Sequence, residues 1–432
     1  MTPLGQRLAR AMYALLLRLA LPLYLARLWR RGAREPEYRR AWGERLGWYG
    51  ARVAPGALWV HAVSLGETRA AAALVDALRE REPGLRLLLT HGTATGRQAG
   101  RALLRDGDLQ AWLPYDTPGA ARRFLRHYRP RVGVLMETEL WPALMREAER
   151  LGVPMVLANA RLSERSARRG RRLAALLHPA ARRLTLVLAQ TADDGQRLLD
   201  AGAPQVRVDG NIKYDMAPAP SLLARGRRWR EALGRDVVLA ASTREGEEGP
   251  LLRAWLTLPL PRPLLLLVPR HPQRFDEAAA LVAGAGLSMV RRSAWTGEPG
   301  SAAAQADVWL GDSMGEMPLY YACADVALLG GSYAPLGGQN LIEAAACGCP
   351  VVMGPHTFNF AHAASMALAA QAAIRVDDID EGVRVAASLA RDPERAAWSD
   401  RAQAYAAEHR GAALRMAEQV LALGRTTRVG NN

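Results

Sequence analysis

Short apolar runs recur along this chain with helix-length stretches between them, and that alternation limits the possible folds more than any other feature. Runs at 58–63, 85–90, 132–136, 155–158 and 184–189 form one series. A second follows at 237–241, 264–268, 308–310, 326–329 and 351–353. They read as buried strands, and strands spaced by helices predict parallel sheets covered by helices on both faces. With 432 residues, 50% of them hydrophobic, the chain can bury two cores. The expected division is an N-terminal segment at 1–35, a first domain at 36–215, a Pro- and Arg-rich linker at 216–235 and a second domain at 236–425.

The formal charge of +15 implies an acidic partner. Lys213, in Gly-Asn-Ile-Lys-Tyr-Asp, is the only lysine; every other positive side chain is arginine. A chain this biased that keeps one lysine points to a place where a compact ammonium works and a planar fork does not. Asn159, Asn211, Asn340 and Asn359, scarce in the same way, also fall in polar, motif-like loops. Cys323, Cys347 and Cys349 are too few and too close for a disulfide framework or a four-cysteine zinc site, and they suit a reducing compartment.

Residues 11–29 are largely apolar but carry Arg18 and Pro22, with Arg7, Arg10, Arg27, Arg30 and Arg31 around them. The runs on either side of Arg18 are each too short to span a bilayer, and no small-residue cleavage site stands out. The segment reads as a marginal signal-anchor or as a helix lying in the interface with its arginines on anionic headgroups. A helix packed on its own domain is the third reading. The basic cluster after the apolar stretch would keep the main body cytoplasmic.

Ligands of parallel sheets bind beyond strand C-terminal ends, and several polar segments fall there. In 311–360 a strand runs into a loop containing Gly330, Gly331, Gly337 and Gly338. A helix then opens at Asn340, whose free N–H groups suit an anion, with Glu343 one turn in and placed for a ribose hydroxyl. This reads as a nucleotide-sugar site. After the 58–63 run comes His61-Ala-Val-Ser64-Leu-Gly66-Glu67-Thr68. Gly66 allows a tight turn, and Glu67 could take a proton from an attacking hydroxyl. The helix start should favour its charged form, against that role, and a plain first-turn glutamate is the simpler reading. Glu137 and Glu139 follow another strand end. In the second half, Ser242 and Thr243 could cap a helix or hold an oxyanion. Arg270, between Pro269 and His271, could pair with phosphate or carboxylate. Asp106 and Asp108 read as a solvated turn. The chain contains no Walker A loop, no Gly-x-Ser-x-Gly elbow and no His-Glu-x-x-His spacing. Its aromatic residues do not alternate with arginine as a nucleic-acid platform would require.

Taken in order, HAVSLGET, METELWP, GNIKYD, PRHPQRF, GDSMGEM, GGQNLIEAA and GPHTFNF resemble the 3-deoxy-D-manno-octulosonic acid (Kdo) transferases of Gram-negative bacteria. The resemblance runs from the apolar N-terminus to about residue 365. It implies a GT-B fold: two Rossmann-like α/β domains facing a cleft, anchored by an N-terminal helix at the cytoplasmic face of the inner membrane. It also implies transfer of Kdo from CMP-Kdo to a lipid A precursor, a phosphorylated acylated diglucosamine, with inversion and without metal or other cofactor. Anionic inner-membrane lipid would be a partner, and nucleic acid would not. By that resemblance Glu67 is the general base, and Glu137, Glu139, Ser64 and Gly66 place acceptor or sugar. Lys213, Arg270 and the Asn340 helix start, with Gly338 beside it, meet the anionic end of the donor. Met314, Gly315, Glu316, Pro269 and His271 frame the cytidine, Glu343 takes the ribose, and Ser242 and Thr243 complete the donor site. Gln339 stands where the family commonly has histidine; it can hydrogen-bond but carries no charge. The alternatives are another GT-B enzyme with a different nucleotide sugar, and a non-enzymatic basic protein binding membrane or polyanions.

Overall fold

The computed structural model describes residues 3–215 and 218–429. The chain groups into two compact units, Met1–Asp215 with Arg410–Asn432, and Met216–His409.

The first unit is built on seven strands: β1 (Leu58–His61), β2 (Leu87–His91), β3 (Leu109–Trp112), β4 (Val132–Met136), β5 (Met155–Ala160), β6 (Leu186–Ala189) and β7 (Val206–Val208). Their order is β3-β2-β1-β4-β5-β6-β7, and all pairings are parallel. Leu58 and Val60 enter the core on one face, while Trp59 enters the core on the other. Burial on both faces explains why these runs are apolar throughout rather than alternating.

Seven strands also form the second unit: β8 (Val237–Thr243), β9 (Leu264–Pro269), β10 (Met289–Arg291), β11 (Val308–Leu310), β12 (Val326–Leu329), β13 (Val351–Met353) and β14 (Ala373–Arg375). They run in parallel in the order β10-β11-β9-β8-β12-β13-β14. Each sheet therefore reverses strand order at its centre, between β1 and β4 or between β8 and β12, and the second reverses again at its edge, where β11 lies between β9 and β10. A parallel sheet opens a crevice at the central reversal, beyond its strand ends. Strands β3, β7, β10 and β14 were not expected; each is three or four residues long, with half-exposed or exposed positions that blur the apolar signal.

Two boundaries differ from expectation. The presumed linker 216–235 contains the helix Pro220–Leu233, which packs on the helix Met317–Cys323 within the second unit. Gly226 allows this approach, since a Cβ there would lie 2.3 Å from the Leu319 carbonyl oxygen. Trp229 from the same helix joins Trp295 and Trp309 in an aromatic cluster. The second domain also ends early, because the last helix, Ala412–Val429, packs on Leu65–Arg81 in the first unit. Met416, Val420 and Leu421 join the first core, and the Asp215 carboxylate accepts from the N–H groups of Gly411 and Ala413. The solvated reading of Asp108 is also overturned. Its carboxylate is buried against Arg79 and accepts from Leu87 N at 2.7 Å.

The N-terminal helix, Pro3–Arg31, is long and apolar enough to cross a membrane by length and composition. One face carries exposed Leu4, Leu8, Leu15, Leu16, Leu19 and Leu23. Another docks on the first unit: the Tyr13 hydroxyl donates to Asp116 at 3.0 Å, and Tyr24 meets Tyr115 edge-on. Leu28 is buried.

Candidate active site

In the first unit, the loops beyond β1 and β4 bring Glu67, Glu137 and Glu139 close enough for their charges to repel. Ser64 caps the helix Leu65–Arg81, and Glu67 folds back on the cap. Glu67 Oε2 accepts from Val63 N at 2.8 Å and Oε1 from Ser64 Oγ at 3.1 Å. This is close to the reciprocal Ser-x-x-Glu capping box, and that spacing was readable in the sequence. Each carboxylate oxygen keeps one lone pair for a substrate proton. The expected electrostatic penalty reverses in the fold. Burial lifts the Glu67 carboxyl above its ordinary range and Glu137 adds to this, while the hydrogen bonds and Lys213 only partly oppose it. Burial, followed by the charges of Glu67 and Glu137, pushes Glu139 up to about 7.

Lys213 lies in this same cluster, its Nζ 3.6 Å from Glu137 Oε1. Its loop is held from β5. Asn159, buried and in a left-handed conformation (φ 52°), accepts from Ile212 N at 3.1 Å, and Asn211 Oδ1 accepts from Lys213 N at 3.0 Å. Glu137 is left-handed as well, at φ 60°. Strained residues of this kind cost about 1–3 kcal/mol each and persist where surrounding structure over-determines them. The scarcity of asparagine pointed at Asn159, but its positioning role needed the β5–Lys213 contact. His61 is a structural side chain. Fully buried, with Nδ1 2.9 Å from Thr90 Oγ1, it is held neutral by burial at a pKa of about 3.

The corresponding loops of the second unit follow β8 and β12. Ser242 is left-handed at φ 57°. The Thr243 hydroxyl is spent inside the fold, donating to Glu248 at 2.7 Å, so it is not free to hold an oxyanion. Glu248 is buried and pairs with Arg274 at 2.7 Å, which ties the loop after β9 to the loop after β8. Glu247, which the sequence reading left without a role, accepts from Gly331 N at 2.7 Å and from Arg244 N at 2.8 Å. The glycine-rich loop is thereby fastened by a carboxylate of the chain itself. Gly337 adopts φ 90°, and a Cβ there would collide with the Asn359 side chain, whose Nδ2 donates to Leu336 O at 3.0 Å. Gly338 N donates to Gly331 O at 2.7 Å.

Asn340 caps its helix, accepting from Ile342 N at 3.1 Å, but that helix is only the six residues Leu341–Ala346. Glu343 is half-buried in it, and both its charge and that of Arg270 act on Tyr321. Arg270 and His271 are exposed just beyond β9, while Pro269 is buried in it. Met314 and Gly315 are exposed. Burial tends to raise the Glu316 carboxyl, yet Ser313 together with Arg292 and Arg225 outweighs it and holds Glu316 below its ordinary range.

Comparison with known proteins agrees with this architecture. A family model described as 3-deoxy-D-manno-octulosonic-acid transferase (kdotransferase) matches residues 40–216. The 3-deoxy-D-manno-octulosonic acid transferase of Bordetella pertussis is 51% identical over 430 residues, covering 94% of this chain and 98% of its own length. That of Haemophilus influenzae is 37% identical over 378 residues, covering 85% and 87% respectively. Among solved structures, a glycosyltransferase from Rickettsia africae superposes with a TM-score of 0.56 at 12% identity, covering 88% of this chain and 100% of that one. That likeness concerns the fold alone, two Rossmann-like units of the GT-B type. With half of its residues identical to a full-length relative, the chain belongs to the 3-deoxy-D-manno-octulosonic acid transferase family, and it is a glycosyltransferase.

Proposed function

We propose that this enzyme transfers Kdo from CMP-Kdo to a glucosamine hydroxyl of a phosphorylated, acylated diglucosamine, the lipid A precursor, with inversion at the anomeric carbon. The observation that carries the reading is the half-buried carboxylate cluster of Glu67, Glu137 and Glu139 with Lys213 beside it. A base working near neutral pH gains from a raised pKa, and burial raises that of Glu67. Its hydrogen bonds to Val63 N and Ser64 Oγ fix the carboxylate's direction while leaving a lone pair for the hydroxyl proton. As that proton moves to Glu67, the hydroxyl oxygen bonds to the anomeric carbon, and the bond from that carbon to the phosphate oxygen breaks to release CMP. One-step displacement inverts the centre.

The leaving group carries a single phosphate, which a guanidinium can stabilise. Arg270 is assigned to it, with the loop at Gly338 and Asn340 alongside. Lys213, set among the carboxylates of the first unit, is assigned to the carboxylate of the sugar. Glu343 takes the ribose, while Met314, Gly315, Glu316, Pro269 and His271 frame the base and Ser242 borders the site through its backbone. Glu137 and Glu139 place acceptor or sugar.

The N-terminal helix is assigned to the cytoplasmic face of the inner membrane, lying in the interface against anionic lipid. Supporting this over a spanning helix is the hydrogen bond that holds Tyr13, within the apolar stretch, to Asp116 of the body.

The test supplies CMP-Kdo and radiolabelled lipid A precursor to the wild type and to Glu67→Ala. The wild type should label the product. The variant should lose transfer while CMP still protects it against heat. Equal loss of transfer and CMP protection would remove Glu67 as the base, and protection by UDP rather than CMP would remove the proposed donor.

A further inference from the structure

Beside the carboxylate cluster, the first unit contains a cavity of about 290 Å³. Leu140, Leu157, Leu162, Leu177, Leu184 and Leu198 supply its apolar lining. Thr138 and Leu140, the chain neighbours of Glu139, form part of the wall, so the cavity adjoins the loop that carries that carboxylate. Another wall is the helix Glu164–Arg171, which buries no residue of its own and lines the space with Ser166, Ala167 and Gly170. Small side chains there leave room that this chain does not fill.

Arg161 and Arg171 also line the cavity. Among the described residues, neither has a carboxylate within ion-pair distance, whereas Arg197 is paired with Asp194 at 3.1 Å. Apolar walls with two solvent-exposed guanidinium groups that form no ion pair, against the single carboxylate of Asp200 in the lining, are complementary to an anionic amphiphile, its chain inside and its anion on the arginines. The helix Ala174–Ala181 contributes Leu177, His178 and Ala181 to the lining, and it also packs on the N-terminal helix. The cavity is therefore walled by an element that touches the apolar helix on one side, and by the Glu139 loop on another.

We infer that this cavity holds one acyl chain of the acceptor, with Arg161 and Arg171 on its phosphate. The inference rests on the proposed reading of the acceptor as a phosphorylated, acylated diglucosamine. A seated chain would hold the glycan beside Glu67 and Glu139 and make affinity depend on the lipid rather than on the sugars alone. The volume suits one chain and is too small for a whole glycolipid.

Ala167→Phe fills the cavity from a wall that buries nothing, so the fold should tolerate it. In full-length enzyme, two readouts are compared between the wild type and this variant. The first is KM for the acylated acceptor and for its deacylated form, at saturating CMP-Kdo. The second is direct binding of dodecyl phosphate. The variant should raise KM for the acylated acceptor about tenfold, the worth of roughly two buried methylenes. KM for the deacylated form, kcat and CMP protection should be unchanged. Dodecyl phosphate binding should weaken in the variant and, separately, in Arg161→Gln with Arg171→Gln. An unchanged KM for the acylated acceptor, or an equal rise for both acceptors, overturns the proposal. So does a variant that loses only its binding to phospholipid vesicles, since the occupant would then be a bilayer lipid. If neither acceptor is glycosylated by the wild type while dodecyl phosphate binding still depends on Ala167 and the arginines, the proposed function fails and the amphiphile cavity stands.

Discussion

Each unit has a seven-stranded parallel sheet whose strand order reverses at its centre, and the two use that reversal in opposite ways. In the first, the loops at the reversal of the sheet hold carboxylates that burial and mutual repulsion keep reluctant to ionise. In the second, the loops at the same place have spent their carboxylates, Glu247 on backbone N–H groups and Glu248 on Arg274, leaving Arg270 exposed. Similar parallel sheets thus give one crevice with carboxylates suited to accept a proton and another with a cation suited to meet an anion. What differs is whether each acid finds an internal partner.

That contrast can be broken by experiment. The largest effect should come from Glu67→Ala, which removes the proposed general base and should cost about 10²–10⁴-fold in kcat. Loss of less than tenfold would mean that the acid cluster of the first unit is structural. Lys213→Arg comes next. Nζ lies 3.6 Å from Glu137, and the broad planar fork of arginine cannot replace a compact ammonium there. Transfer should fall about tenfold or more, with the thermal midpoint unchanged; near-normal transfer would show that the lone lysine survives by accident.

Glu247→Ala probes the other unit. Leaving the N–H groups of Gly331 and Arg244 without their acceptor should cost about 1–3 kcal/mol of stability and weaken CMP protection. The acid limb of the pH–rate profile, assigned to the proposed base Glu67, should not move. A shifted limb would show that Glu247 contributes to the ionisation that sets it.

The smallest effect should come from Glu139→Gln. Removing a like charge should let Glu67 ionise more easily, so the acid limb of kcat/KM should move to lower pH. Stability gives an independent reading. The Glu139 carboxyl is raised to about 7 in the fold, from an ordinary value of about 4.5. Between those values the folded protein keeps a proton that the unfolded chain has released, so stability falls as pH rises through that window. The variant should lose this slope and gain about 1–3 kcal/mol above pH 8. An unchanged slope would show that Glu139 ionises normally.

Much of this was legible in the residues. Ten buried strands announced themselves as apolar runs because both faces of each sheet are covered. Short β3, β7, β10 and β14, with exposed positions, carried no such signal. Glu67, Glu137 and Glu139 were identified from their places at strand ends, and Lys213 from its rarity. Sequence could not show that Lys213 lies against Glu137, because 76 positions separate them and only the β4–β5 pairing with the Asn159–Ile212 contact brings the two loops together. Nor could it show that Thr243 and Glu247 are used internally. The helix Pro220–Leu233 hid behind its proline and arginines, since Pro220 only starts the helix and the packing face is made by Gly226 and Trp229.

The sequence by itself determined the class of fold, the two cores and the residue types at the strand ends, because these depend on local hydrophobic pattern and on which residues can turn a chain. Tertiary structure alone decided the protonation tendency of Glu67. The sequence suggested a carboxylate stabilised by a helix start, whereas burial beside Glu137 raises its pKa despite the hydrogen bonds it receives. The physical reason is that desolvation and charge repulsion depend on what surrounds a group in space, and most of those neighbours are distant in the chain.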